Sequence, residues 1–333
     1  NRMFEDFINR IKAGKQSENV ETILFNDTKK FDKQILRSKL NMNIFDERLT
    51  QDLLDYPPLI EALDLAFKDD PYIPVRQHLT IPKDAADDAT LLLMPAWNEA
   101  YIGVKLATIH PENPENGLPS VHASYLLKSA KTGANLAMLD GAALTRIRTA
   151  ATSALAAQYL ARDHASTLLM IGAGALSLPL IEAHCSVRPI DRIMLWNRGA
   201  ERGRLLLEKL DSRAELVTDL DVAVSEADII SCATLSSVPL VRGECVRPGT
   251  HVDLVGAYTP SMRESDAQLI EHSSVFVDTR MGAAHEAGDL IQVAREGRWT
   301  MDQILADLPD LCGGRHPGRQ TEDEITVFKS VGA

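Results

Sequence analysis

From about Ala154 to Asp289, short and almost wholly apolar runs alternate with amphipathic ones. The runs Thr167–Ile171, Arg192–Trp196, Ile229–Cys232, His251–Val255 and Val275–Val277 are too short for buried helices and read as buried strands. Between them, segments such as Arg202–Leu210 and Asp219–Glu226 repeat apolar positions at helical spacing. Strand–helix alternation of this kind predicts an α/β architecture, a parallel doubly wound sheet with helices on its faces.

The pattern upstream is mixed. Helical spacing over Pro58–Lys68 gives way to strand-like runs at Gln77–Ile81, Ala89–Met94 and Gly103–Thr108, then to an Asn/Pro/Gly loop at His110–Gly117. Leu144, Ile147, Ala151 and Leu155 fall on one helical stripe, for which Thr145 is the expected N-cap. Residues 42–153 thus form one expected domain and residues 154–289 a second, with residues 290–333 expected to return to the first. Residues 1–41 carry nine Lys/Arg against six Asp/Glu and amphipathic pieces such as Phe4-Glu5-Asp6-Phe7-Ile8. They read as an extension outside the fold, with Met42 as a natural start.

Composition narrows the partners. At 333 residues one large or two ordinary domains are expected, and an apolar fraction of 45% supplies a core. The net charge of −12 argues against nucleic acid and anionic membranes, which need a basic face. Cys185, Cys232, Cys245 and Cys312 show neither metal-ligand spacing nor a disulfide framework. No run approaches the ~20 apolar residues of a membrane span, and no signal-peptide pattern opens the chain. A soluble protein of a reducing cytoplasm is expected, with no metal.

The candidate chemistry begins where the first buried strand breaks on glycine, in Ile171-Gly172-Ala173-Gly174-Ala175-Leu176-Ser177. Gly172 permits a tight turn and Gly174 lets a pyrophosphate approach the backbone, at the N-terminus of the helix that follows. Ser177 stands where the third glycine of that fingerprint is usual, and the same glycines would also serve a turn with no ligand. The second strand ends in Asn197-Arg198, without the acid that accepts an NAD 2′-OH. A guanidinium there suits a 2′-phosphate, which favours NADPH over NADH; the alternative is an Arg198 that is merely solvated. Arg146 and Arg148 fall in the first turn of the expected helix, where a cation is unfavourable unless it meets an anion. Arg148 is taken to bind a ligand carboxylate and Arg146 to meet a nearby Asp or water. His122 and His285 read as structural histidines, and Asp302, Asp307 and Asp310 as a solvated helix face.

From Met42 to Ala333 the chain resembles the ornithine cyclodeaminase and mu-crystallin family. The resemblance rests on Arg148-Thr149-Ala150-Ala151, Ile171-Gly172-Ala173-Gly174-Ala175, Val255-Gly256-Ala257, Asp278-Thr279-Arg280 and Asp323-Glu324-Ile325-Thr326-Val327-Phe328-Lys329-Ser330-Val331-Gly332. It implies a homodimer whose subunits pair a Rossmann domain with an α+β dimerisation and substrate domain built from both chain ends. It also implies three cations around a substrate carboxylate: Arg76, Lys105 and Arg148. Gly172, Ala173, Gly174, Ala175, Leu176, Asn197, Arg198, Thr149, Val255, Gly256 and Lys329 are implied as cofactor neighbours. Relatives continue past Gly332 into a further helix.

Two departures bear on the reaction. The cyclodeaminase pattern has an Asp in a Gly-Gly-Asp-x-Pro loop and a Glu two residues before Met-Pro. Here Tyr258 stands in the matching loop and Leu92 precedes Leu93-Met94-Pro95. Tyrosine, with a reference pKa near 10, is a poor base at neutral pH. Reduction of a cyclic imine needs less, because the substrate arrives protonated and the work is positioning. Trp196-Asn197-Arg198 and Ala257-x-x-Pro260-x-x-Arg263-Glu264 resemble the family's NADPH-preferring ketimine reductases. The expectation is an NADPH-dependent reductase of Δ1-pyrroline- or Δ1-piperideine-2-carboxylate, giving L-proline or L-pipecolate, with Tyr258 among its site residues. Ornithine cyclodeaminase, an alanine-type dehydrogenase and a non-catalytic NADPH binder are the alternatives.

Overall fold

A computed structural model describes residues 42–68, 72–74, 76–83 and 88–332. The extension expected over residues 1–41 lies outside them. The chain divides into two compact units, one holding the described residues up to Pro58 and on to Thr145, the other holding Leu59–Lys68 and the residues from Arg146 onward.

The first unit is a six-stranded sheet of β1 (Asn43–Phe45), β2 (Gln77–Ile81), β3 (Ala89–Trp97), β4 (Tyr101–Ile109), β5 (Val121–Ser129) and β6 (Asn135–Asp140). Its order is β1-β6-β5-β4-β3-β2, antiparallel except for the β1–β6 pair. The β3–β4 connection is tight because Asn98 Oδ1 accepts from the backbone N–H groups of Ala100 and Tyr101 at 3.0 and 2.9 Å. Phe45, Leu127, Ala137 and Leu139 form its core, and Leu49 and Leu53 of the Glu47–Leu53 helix pack on them. Asp46 caps that helix, accepting from the Leu49 N–H at 2.9 Å.

Thr145 is not the cap of its helix. The helix spans Gly141–Leu160, and Asp140 Oδ1 at the end of β6 accepts from the Ala143 N–H at 2.7 Å. Thr145 sits one turn inside, its hydroxyl donating to the Gly141 carbonyl at 2.6 Å. An aspartate at the strand end supplies the missing acceptor earlier, and Gly141 lets the chain pass against the Ala123–Ser124 backbone, where a Cβ would collide. Arg146 and Arg148 therefore lie beyond the first turn.

The second unit is built on eight parallel strands: β7 (Thr167–Ile171), β8 (Arg192–Trp196), β9 (Ala214–Leu216), β10 (Ile229–Cys232), β11 (His251–Leu254), β12 (Ser274–Val277), β13 (Ala306–Asp307) and β14 (Thr326–Lys329). Their order is β13-β12-β14-β11-β10-β7-β8-β9. The chain winds outward from β7 to β8 and β9, then returns to β10 on the other side, so the strand order reverses between β7 and β10. Leu169, Ile171, Ile230, Val252, Leu254, Val275, Val277 and Val327 lie fully or almost fully buried in one core, which is why the central strands read as unbroken apolar runs.

Residues 290–332 join this second unit rather than the first, against expectation. β14 inserts between β11 and β12, with Val327 opposite both Val252 and Val275. Four residues of parallel pairing on both sides, all buried, hold it there. Asp307 and Asp310 are likewise not a simple solvated face. They form a reciprocal capping box for the Leu308–Cys312 helix, and Asp310 also meets Arg315 at 2.7 Å.

Candidate active site

The turn after β7 is a loop that glycine makes possible. Gly172 has φ of +112°, and a Cβ there would lie 2.8 Å from the Ala233 carbonyl oxygen, so no other residue fits without strain. Ser177 braces the loop from inside: its fully buried hydroxyl donates to the Gly172 carbonyl at 3.0 Å and accepts from the Gly174 N–H at 2.9 Å. The serine that replaces the third glycine thus performs the turn's internal bonding. Open space lies beyond Gly174, with no described atom within 4 Å of the place a Cβ would take. Ala175 and Leu176 lead into the Ser177–Val187 helix, and among the described residues their N–H groups have no protein acceptor. Free N–H groups at a helix start beside an open glycine fit a pyrophosphate.

The tip of β8 is tied to this loop. Asn197 Oδ1 accepts from the Ala173 N–H at 3.1 Å, and Asn197 Nδ2 donates to the Gly199 carbonyl at 2.7 Å. Asn197 therefore fixes the loop, while Arg198 beside it is exposed.

The loops after β10 and β11 meet at Gly256, which lies against the Thr234 backbone so closely that a Cβ would have no room. Glu264, fully buried, spans the two, accepting from Thr234 N–H and Oγ1 (2.6 and 2.8 Å) and from Gly256 and Ala257 N–H (2.7 and 3.2 Å). Burial pushes Glu264 up to about 7, and the Asp289 carboxylate adds to the shift against the pull of Lys329. Val255 is buried beside Gly256, whereas the Tyr258 side chain is 48% exposed. Thr149 is buried in the Gly141–Leu160 helix.

Lys329, expected as a cofactor neighbour, lies under the loops after β10 and β11. Its ammonium is fully buried, donating to the Leu254 carbonyl at 3.1 Å and lying 3.4 Å from Asp289 Oδ2. Arg148 reaches the turn that follows β14, where a Cβ on Gly332 would stand 3.4 Å from Arg148 Nη2. That turn is pinned by buried Asp278, which accepts from Ser330 Oγ and from the Val331 and Gly332 N–H groups at 2.8–3.0 Å.

In the first unit, Lys105 on β4 is partly buried and donates to Thr145 Oγ1 at 3.2 Å. Arg76 precedes β2 and is also partly buried. His122 is exposed on β5, and His285 Nδ1 lies 2.8 Å from the Met281 carbonyl of its own helix. Among the described residues, no three His, Cys, Asp or Glu side chains come together as metal ligands.

Glu264, Asp289 and Asp278 carry much of the site's order, and reasoning from sequence gave none of them a role. Glu264 and Asp278 stood in quoted motifs, and Asp289 only at an expected domain boundary. For Asp278 the usable signal was chain position, directly after β12, where loop N–H groups need acceptors.

The profile of the ornithine cyclodeaminase/mu-crystallin family matches residues 54–333. The chain belongs to this family. An uncharacterized protein of Schizosaccharomyces pombe is 45% identical over 294 residues, 84% of this chain and 89% of that one. The Δ1-pyrroline-2-carboxylate reductase of Colwellia psychrerythraea is 36% identical over 298 residues, 87% of this chain and 94% of that one. Among solved structures, Thermococcus litoralis Δ1-pyrroline-2-carboxylate reductase in complex with NADH and L-proline superposes with a TM-score of 0.80. It is 32% identical and covers 87% of this chain and 92% of its own.

Proposed function

We propose that this protein reduces a cyclic imino acid, Δ1-pyrroline-2-carboxylate or its six-membered homologue, to L-proline or L-pipecolate at the expense of a reduced nicotinamide dinucleotide. The observation that carries the reading is the Gly172–Ser177 turn, an open glycine loop at a helix start and at the strand-order reversal of a parallel sheet. The likeness to named reductases over most of both chains supports the substrate class.

In this reading the Ala175 and Leu176 N–H groups hold the pyrophosphate, with Thr149, Val255 and Gly256 close by. Arg198 receives a 2′-phosphate, which makes NADPH the preferred cofactor. Bound NADPH supplies the hydride. Arg148, Lys105 and Arg76 hold the substrate carboxylate, and Tyr258 borders the reacting ring. No residue need act as a strong base, because the imine nitrogen enters already protonated. The homodimer is part of the same proposal.

The test is oxidation of NADPH and of NADH with each cyclic imino acid, beside pyruvate plus ammonia. Turnover of the imino acids, independent of ammonia and faster with NADPH, is expected. Turnover only with pyruvate and ammonia would replace the reading with an amino-acid dehydrogenase.

A further inference from the structure

Three ionisable side chains, Glu264, Asp289 and Lys329, are fully buried beneath the loops that follow β10 and β11. Removing two carboxylates and an ammonium from water is expensive, and apolar residues of similar size often replace buried ion pairs without loss of stability. Packing alone is therefore a weak reason for them. Their hydrogen bonds point elsewhere. Each Glu264 oxygen accepts twice, Oε1 from Thr234 N–H and Oγ1, Oε2 from Gly256 and Ala257 N–H. Asp289 Oδ1 holds Glu264 in turn, accepting from the Glu264 and Ser265 N–H groups at 2.7 and 2.8 Å. Thr234 also borders the phosphate loop, since a Cβ on Gly172 would meet its methyl group at 3.3 Å.

We propose that Glu264 is a positioning residue: its carboxylate fastens Thr234, Gly256 and Ala257 into the surface that receives the nicotinamide half of the cofactor. The inference rests on the dinucleotide reading above. Ligands of doubly wound sheets bind outside the carboxyl ends of the strands at the point where strand order reverses, and these loops lead out from that edge. An ionised carboxylate accepts all four hydrogen bonds at once. A glutamine would turn an NH2 group toward an N–H donor.

The fastening depends on charge. The titratable groups facing Glu264 are Lys329 on β14, Asp289 on the Gly288–Arg295 helix and Cys232 on β10. Burial raises Glu264 to about 7, with Asp289 reinforcing the shift and Lys329 opposing it. Protonation converts an accepting oxygen into a donor that faces N–H groups, so the fastening slackens as pH falls through that value.

The experiment is fluorescence titration of NADPH and NADH against the wild type and Glu264→Gln from about pH 6 to 8.5, with amide hydrogen exchange of both unliganded proteins. NADH lacks the titrating 2′-phosphate and isolates the protein's contribution. Wild-type affinity for both cofactors should fall as pH drops through about 7. Glu264→Gln should bind both roughly tenfold more weakly at high pH, the scale of a lost charge-assisted interaction, with a flat pH profile. The Thr234, Gly256 and Ala257 amides should exchange faster in the variant. Wild-type affinity or a wild-type pH profile in Glu264→Gln would overturn the role. Should the variant not fold, a flat NADH profile in the wild type overturns it equally. A wild type that binds neither cofactor would overturn the dinucleotide reading and this role with it.

Discussion

Asn197 Oδ1 accepts the Ala173 N–H at 3.1 Å, so the tip of β8 and the loop after β7 are one hydrogen-bonded piece. The amide is occupied in holding the loop. Its neighbour Arg198 is exposed, and in the proposed function it is Arg198 that meets a 2′-phosphate.

Replacing Arg198 by Ala should weaken NADPH binding roughly ten- to a hundredfold, the scale of a charge-assisted bond to phosphate, and leave NADH nearly unchanged. Calorimetric titration of both cofactors reads this directly. An equal loss toward both would show that Arg198 acts on the loop, as Asn197 does, and not on a 2′-phosphate.

L-Ornithine should not be cyclised at a useful rate. The positions matching the cyclodeaminase acids hold Leu92 and the half-exposed Tyr258, neither of which serves as a base near neutral pH. Ammonia release from L-ornithine with trace NAD+ is the measurement, and rapid release would reject the reductase reading. Tyr258→Asp alone should not create the activity, because Leu92 still leaves the amine without a carboxylate.

Folding stability should fall as pH drops below about 6.5. His251 on β11 is fully buried, and its Nδ1 lies 2.9 Å from Thr326 Oγ1. That hydroxyl already donates to the Leu160 carbonyl, so Nδ1 must be the ring's donor and Nε2 its bare lone pair. Nε2 has no partner among the described residues, and burial first, then the neighbouring charges of His184, Arg319 and Arg188, hold the group well below its usual value. The unfolded chain takes up a proton near pH 6.5 where the folded one does not. The stability is thus complete above that pH and is lost progressively below it. Urea unfolding of the wild type and His251→Gln between about pH 7.5 and 5 tests this, since groups common to both cancel. The wild type should lose stability relative to the variant; parallel curves would mean that His251 finds a partner for its second nitrogen.

How legible these features were follows from where their energy comes from. β7, β8 and β10 stand at their expected residues because central strands of a parallel sheet are buried on both faces, and burial writes itself as an unbroken apolar run. β14 left no such trace. It is four residues long and ends in a lysine, whose burial depends on Asp289, forty positions earlier. Strands β5 and β6 were also missed: half-buried positions such as Ser124, Tyr125 and Lys128 on β5 give neither clean alternation nor an apolar run. Gly172 was recognisable because its backbone requirement is local. Glu264 was not, since its partners at Thr234 and Gly256 become neighbours only after the sheet has formed.

The cations proposed for the substrate carboxylate make the sharpest demand on the reading. Arg148 stands beside the turn that Asp278 pins, and in the proposed role its flat guanidinium would offer two parallel donors to the substrate carboxylate. Lysine offers a point charge in its place. Arg148→Lys should therefore lower kcat/KM for the imino acid by roughly a hundredfold, about 2.7 kcal/mol of transition-state stabilisation. Lys105→Ala removes a partly buried cation that donates to the Thr145 hydroxyl, and a loss of similar order is expected. NADPH affinity should barely move in either variant, because the carboxylate belongs to the substrate and not to the dinucleotide. Steady-state kinetics beside NADPH titration and a melting curve separate the cases. Near-normal turnover in both variants would make these cations structural and move the substrate site elsewhere, whereas a loss of NADPH affinity alongside turnover would place Arg148 with the cofactor.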